Sequence, residues 1–208
     1  MISIVIIDDH LMVRQSWEIV LNRMEGFWVN GHTGDMTEAL KLVRETKPTV
    51  VLLDINMRPV SGFSIAREML SQNPAEKIIG LSATSYPAYA KKLLNIGGRG
   101  YVSKNSPGNE LEFAIREIAA GRTFLSTDIR EQLEDMEKRT DKPEDLFTLS
   151  AREMEIVKDV CDGLSSKQIA VHLGISLKTV EVHRNHILKK LGLRNVAGLI
   201  RYMGEQEV

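Results

Sequence analysis

Cysteine is almost absent: Cys161 is the one thiol in 208 residues. A single thiol rules out an intramolecular disulfide framework and fits a reducing compartment, with Cys161 expected as a small core residue on an apolar helix face. Aromatic side chains make up only 5% of the composition. No apolar run reaches the ~20 residues that a membrane-spanning helix needs. Met1 leads straight into strand-like sequence with no basic signal-peptide region, so a soluble, cytoplasmic protein with no membrane partner is expected. Internal repeats and low-complexity tracts are also missing. What remains is ordinary globular sequence, 43% hydrophobic and 26% charged, at a length that suits two modest domains.

Neither sign of charge dominates, since the net charge is −1, but its distribution is uneven. Residues 1–120 carry 13 basic and 13 acidic side chains, 121–147 carry 5 and 8, and 148–208 carry 9 and 7. Within 163–201 there are seven basic residues (Lys167, Lys178, Arg184, Lys189, Lys190, Arg194 and Arg201) against Glu181 alone. That local excess is a footprint suited to phosphates, although a charge cluster by itself is more often a solvated face.

The apolar run Val50-Val51-Leu52-Leu53 ends abruptly in Asp54. Such a run reads as a strand buried on both faces, as in a parallel sheet. Ile2 to Ile7 ends likewise in Asp8-Asp9. Further strands are expected at Phe27–Gly31, Lys77–Ser82 and Gly100–Lys104. Helices are expected over about 11–24, with Val13, Trp17, Val20, Leu21 and Met24 on one face, and over 36–46, 63–72, 87–96 and 108–120. Five strands alternating with five helices imply a flavodoxin-like, doubly wound parallel sheet with the first and third strands adjacent. Residues 121–147 read as an acidic linker with a possible helix from Asp128 to Arg139, and Asp141 to Asp145 marks the boundary. Beyond it the pattern is helical, with turns at Gly163, Gly174 and Gly192.

In open parallel sheets, ligands sit outside the carboxyl ends of the strands. Asp8, Asp9, Asp54, Ser82 and Lys104 all fall there. Three acids at one edge repel one another unless a cation or shifted pKa values relieve them, and Mg²⁺, a hard ion, prefers oxygen ligands. Asp9 and Asp54 would ligate it directly, with the backbone carbonyl of Asn56 as a third ligand and Asp8 acting through water. Asp54 would then be a nucleophile toward a phosphoryl group, Lys104 would pair with the phosphoryl oxygens, and Ser82 would hydrogen-bond one of them. Asp8 or Asp9 taken singly could be a helix cap. His10 reads as a loop residue, and Thr84 and Asn56 flank the expected path of an attacking water.

These five polar positions, each at a strand end, resemble the receiver domain of two-component response regulators, over about residues 1–120. The resemblance implies phosphorylation of Asp54 by a cognate sensor histidine kinase, with Ser82 turning toward the phosphoryl group and Tyr101 swinging inward. Many receivers place proline after the lysine, whereas Asn105 follows Lys104 here.

In the tail, helices are expected at about 150–162, from Ser165-Ser166 to Leu173, and at about 177–191. Ile169, Ala170, Leu173, Ile175 and Val180 would pack the last two together as a helix-turn-helix. Lys178, Glu181, Val182, Asn185 and Lys189 form one outward stripe on the third of these. Glu181, Val182 and Asn185 are suited to base edges, and Lys178, Thr179, Arg184, Lys189, Lys190 and Arg194 to phosphates. A solvated face on a dimerisation module would show a similar stripe. The strings Leu149-Ser150-x-Arg152-Glu153, Gly163-Leu164-Ser165, Gln168-Ile169-Ala170, Lys178 to His183 and Ile187-Leu188-x-Lys190-Leu191 resemble the LuxR-type DNA-binding domain. His183 either touches a phosphate or packs.

The two resemblances together match the NarL/FixJ class of response regulators. They imply a receiver over 1–120, a linker over 121–147 and an all-α helix-turn-helix domain over 148–208. The implied protein is a transcription regulator rather than an enzyme, switched by phosphorylation of Asp54. Its implied partners are a histidine kinase, double-stranded DNA, a second copy of the chain on phosphorylation, and RNA polymerase. Three other readings stay open: an Mg²⁺-dependent phosphohydrolase, a signalling adaptor, and a regulator that works without phosphorylation.

Overall fold

The computed structural model describes residues 1–83, 85–137 and 149–204. Thr84 and the boundary expected at Asp141 to Asp145 lie outside the described residues. The chain divides into two compact units, one formed by Met1–Ser85 with Ala90–Arg130, the other by Tyr86–Tyr89 with the chain from Glu131 onward.

The sheet is built from β1 (Ile2–Ile7), β2 (Phe27–Thr33), β3 (Val50–Asp54), β4 (Ile78–Ser82), β5 (Gly100–Ser103) and β6 (Phe124–Leu125). Between them run α1 (Leu11–Asn22), α2 (Met36–Thr46), α3 (Gly62–Gln72), α4 (Pro87–Asn95) and α5 (Gly108–Ala119). The strand order is β2-β1-β3-β4-β5-β6, and every pairing is parallel. All residues of β3, β4 and β5 are buried, as expected for strands covered by helices on both faces. Ile4, Ile6, Val50, Leu52, Ile79, Leu81 and Val102 form one core cluster with Leu111, Ala114, Ile115 and Ile118 of α5. Each large aliphatic side chain buried there stabilises the fold by about 1.5–3 kcal/mol. On α1 the fully buried residue is Leu21, while Val20, at the edge of the apolar arc farthest from it, stays 41% exposed.

The sheet has six strands where the sequence reading gives five. β6 is only two residues long, pairing Phe124 with Gly100 and Leu125 with Tyr101, and two residues carry no readable alternation. Its addition takes the first unit past residue 120 to Arg130, so the start of the expected linker is folded into the sheet. The helix expected from Asp128 exists as α6 (Thr127–Glu137).

The described part of the second unit is helical: α7 (Ala151–Cys161), α8 (Ser166–Leu173), α9 (Leu177–Lys190) and α10 (Val196–Gly204). Each of the first three starts where a serine accepts from the first turn: Ser150 from Glu153 N, Ser165 from Gln168 N and Ser176 from Thr179 N. The first two are reciprocal capping boxes. Gly174, at φ 63°, ends α8 in the left-handed region, which glycine adopts without a Cβ penalty, and so sets the tight turn into α9. Ile156, Val157, Val160, Ile169, Val180 and Ile187 are buried between these helices. Cys161, expected in the core, is exposed instead. It lies one residue past buried Val160, about 100° further round the helix. Among the described residues no helix is long and apolar enough to cross a membrane.

Candidate functional site

Parallel pairing brings the acids together. β1 and β3 are neighbours with Ile7 opposite Leu53, so Asp8 and Asp9 leave the sheet beside Asp54. β4 and β5 follow with Ser82 opposite Ser103, which sets Ser82 and Lys104 on the same edge. Asp8, Asp54 and Ser82 are buried. Lys104 Nζ donates to Asp8 Oδ2 at 2.6 Å and to Asp54 Oδ2 at 2.8 Å. The other oxygens are held by backbone: Asp54 Oδ1 accepts from Asn56 N at 3.0 Å and Asp8 Oδ1 from His10 N at 2.8 Å. Asp9 Oδ2 accepts from Arg58 N at 3.3 Å. Ser82 Oγ accepts from Asn56 Nδ2 at 2.8 Å. Tyr101, expected to swing inward, is fully buried in this state.

Burial pushes the Asp54 carboxyl above its ordinary pKa, against the opposing pull of the Lys104 hydrogen bond and the Asn56 N–H. For Lys104 burial works against the charge, but the hydrogen bonds to Asp54 and Asp8 outweigh it and hold the ammonium above the usual lysine value. Charge is therefore concentrated at this edge: Asp8 and Asp54 share the Lys104 ammonium, and Asp9 stands beside them. Asp8, Asp9, His10 and Asp54 offer ligand atoms that all lie within 4.8 Å of one another. Asp9 Oδ1 is buried without a hydrogen bond, although His10 Nδ1 stands 2.7 Å from it. A converging set of hard oxygen donors with one unsatisfied oxygen fits a divalent cation.

Gly62, which sequence reasoning did not single out, and Asn105, noted there only as a departure from proline, both matter here. Gly62 opens α3, and a Cβ on it would stand 2.1 Å from the carbonyl oxygen of Asp54 and 2.7 Å from Ile55 Cα. Only glycine allows the loop to return so closely over the acceptor strand. Asn105 occupies the position where many receivers have proline, and its N–H donates to Ser103 Oγ at 3.2 Å, which proline cannot do. Its side-chain amide donates to Ala83 O at 3.0 Å, tying together the loops that follow β4 and β5.

On α9 the five residues of the stripe, Lys178, Glu181, Val182, Asn185 and Lys189, are all exposed, while Val180 and Ile187 are buried opposite them. Thr179 and Arg194 are exposed too, and His183 is half-buried. Two of the basic residues assigned to phosphates have protein partners instead. Arg184 Nη1 donates to the Ser166 hydroxyl, and Lys190 Nζ donates to Glu153 Oε2 at 2.8 Å. Glu153 also accepts from Ser150 N at 2.8 Å, so one buried carboxylate clamps the start of α7 to the end of α9.

Burial raises the Glu153 pKa, but the Lys190 and Ser150 hydrogen bonds outweigh it and hold the carboxyl below the usual glutamate range. A group depressed in the folded state contributes stability that is present above its unfolded pKa and lost as pH falls through its folded value. Glu153→Gln should therefore cost about 1–3 kcal/mol at neutral pH, and the difference from wild type should shrink as pH falls below about 4.5. Denaturant titrations of both proteins across that range check this.

The family model described as "Response regulator receiver domain" matches residues 4–116, and that described as "Bacterial regulatory proteins, luxR family" matches residues 147–203. The chain is 36% identical to the oxygen regulatory protein NreC of Staphylococcus aureus strain MRSA252, over 96% of this chain and 95% of that one. A LuxR-family two-component response regulator from Aurantimonas sp. SI85-9A1 is 33% identical, with a TM-score of 0.62 over 66% of this chain and 97% of its own. RcsB of Salmonella enterica serovar Typhimurium, solved on promoter P1flhDC with the phosphomimetic BeF3-, shares the fold. Its TM-score is 0.83 at 23% identity, over 99% of this chain and 98% of that one. Receiver geometry at one end of the chain and a capped helix-turn-helix at the other therefore meet two family matches, and the chain belongs to the DNA-binding two-component response regulators of the LuxR type.

Proposed function

We propose that this protein is a cytoplasmic transcription regulator switched by Mg²⁺-dependent phosphorylation of Asp54 by a sensor histidine kinase. The observation that carries it is the buried Asp54 carboxylate, 2.8 Å from Lys104 Nζ and flanked by Asp8 and Asp9. Asp9, Asp54 and the carbonyl of Asn56 are the residues to hold the ion, with Asp8 acting through water. A bound Mg²⁺ supplies positive charge against the phosphoryl oxygens. One oxygen of Asp54 attacks the phosphorus, the phosphorus–nitrogen bond of the phosphohistidine breaks, and the imidazole nitrogen leaves with the bonding pair. Lys104 moves from carboxylate to phosphoryl oxygen. Ser82 exchanges the Asn56 amide for the same group, and Tyr101 responds in the strand beside them.

In this reading the receiver occupies about residues 1–120 with β6 added to its sheet, residues 121–147 connect it to the DNA-binding domain, and that domain occupies 148–208. Glu181, Val182 and Asn185 face base edges, while Lys178, Thr179, Lys189 and Arg194 lie on phosphates. Arg184 and Lys190 each commit a donor, to Ser166 and Glu153 respectively, and a phosphate contact falls to their other N–H groups. Two copies would place paired recognition helices on half-sites about one turn of DNA apart, with RNA polymerase as the further partner.

Adding Mg²⁺ should raise thermal stability, by about 2.7 kcal/mol at a hundred times the dissociation constant, and Asp9→Asn should remove most of that gain. Melting curves with and without Mg²⁺ read it out; equal shifts in the two proteins would count against Asp9 as a ligand. The covalent step is tested by incubating the full chain with acetyl phosphate and Mg²⁺ and following intact mass. One phosphoryl group per chain is expected, and none when Mg²⁺ is left out of the incubation. Release of phosphate in large excess over protein would favour a phosphohydrolase instead.

A further inference from the structure

We infer that the junction of β6 and α6 is where the receiver passes its phosphorylation state to the chain beyond, with Asp128 as the coupling residue. The inference rests on the phosphorylation of Asp54 proposed above.

The junction is hydrogen-bonded to Tyr101, to Ser103 beside Lys104, and to Ser85, three residues past Ser82. Ser126 N donates to the carbonyl of Tyr101 at 3.0 Å, and Ser126 Oγ accepts from Ser103 N, next to Lys104, at 3.3 Å. The same hydroxyl donates to Asp128 Oδ1 at 2.6 Å. The other Asp128 oxygen accepts from the hydroxyl of Ser85, three residues beyond Ser82 in the loop after β4. Ser85 Oγ lies 3.3 Å from Ser103 Oγ as well. One half-buried carboxylate in the first turn of α6 thus joins β5, through Ser126, to Ser85 in the loop that follows Ser82 and β4.

These bonds are charge-assisted and at a helix N-terminus, where a carboxylate is favoured. They also depend on the resting position of the loop. At rest Ser82 Oγ accepts from the Asn56 amide; in this inference, as Ser82 turns to donate to a phosphoryl group on Asp54, the loop after β4 shifts with it. Ser85 then withdraws from Asp128, while Ser126 stays on β5. The start of α6 has one set of contacts before phosphorylation and another after it, and only such differential contacts bias a two-state element. α6 leaves the first unit after Arg130, so the bias continues along the chain toward the helical unit.

The test compares wild type with Asp128→Ala and Ser85→Ala, each as the full chain. Asp54 labelling is followed by intact mass with acetyl phosphate and Mg²⁺. Affinity is measured for a duplex selected by the wild type from a random pool, with and without beryllofluoride. Both variants should label like wild type, while the gain in affinity on adding beryllofluoride falls by about fivefold or more. Ser85→Ala keeps the Ser126–Asp128 bond, so its effect separates coupling from simple loss of fold. Normal labelling with the full gain retained in both variants would overturn the inference. A wild type that takes no label would instead overturn the reading of Asp54, and the coupling with it.

Discussion

Asp54→Ala is expected to take up no phosphoryl group from acetyl phosphate with Mg²⁺, and to bind DNA equally with and without beryllofluoride. Lys104 already sits on both Asp8 and Asp54, at 2.6 and 2.8 Å, so its ammonium has a place to remain when one carboxylate is removed. The fold should survive for a second reason. Burial raises the Asp54 pKa, so the folded chain disfavours the ionised form of this carboxyl relative to the unfolded chain, and removing the group removes that penalty. A site held charged against desolvation is what a nucleophile toward phosphorus requires. The loss should be the whole phosphorylation-linked change in DNA affinity, typically about 5–150-fold for coupled sites. Intact mass and binding isotherms on the same preparation check both halves. Persistent Mg²⁺-dependent labelling of Asp54→Ala would place the phosphoryl group elsewhere.

Gly62→Ala should destabilise the receiver by about 3 kcal/mol, a large effect for one methyl group. The added carbon would meet the Asp54 carbonyl oxygen at 2.1 Å and Ile55 Cα at 2.7 Å, backbone atoms of the last residue of buried β3 and of the buried residue that follows it. A side chain could rotate away from such a contact, but a central strand cannot. Relief would require α3 or the carboxyl end of β3 to shift, and the latter carries the acceptor. Chemical denaturation measures the loss, and Mg²⁺-dependent labelling should fall with it. Stability within a few tenths of a kcal/mol of wild type would mean that the loop adapts without cost.

The acidic edge was legible in the sequence because each polar residue ends an apolar run, and runs of that kind become parallel strands whose carboxyl ends share one edge. Asp8, Asp9, Asp54, Ser82 and Lys104 needed only strand ends and strand order to be placed. The outward stripe of α9 was legible for the same kind of reason, since its period is that of a helix. What stayed hidden depends on tertiary distance. β6 has two residues and no period, Gly62 is explained only by the backbone that crosses it, and Lys190 looked like any basic residue until Glu153 was found beside it. Cys161 was misplaced because its composition suggests burial, whereas its angle on α7 decides otherwise.

The most direct test of the account is selection of DNA from a random pool by the full-length chain, with and without Mg²⁺ and beryllofluoride. Paired half-sites about one helical turn apart should be enriched only when the mimic is present. Equal enrichment in both conditions would contradict the switch and leave Asp54 as a structural acid. No enrichment in either condition would contradict the assignment of the α9 stripe to DNA.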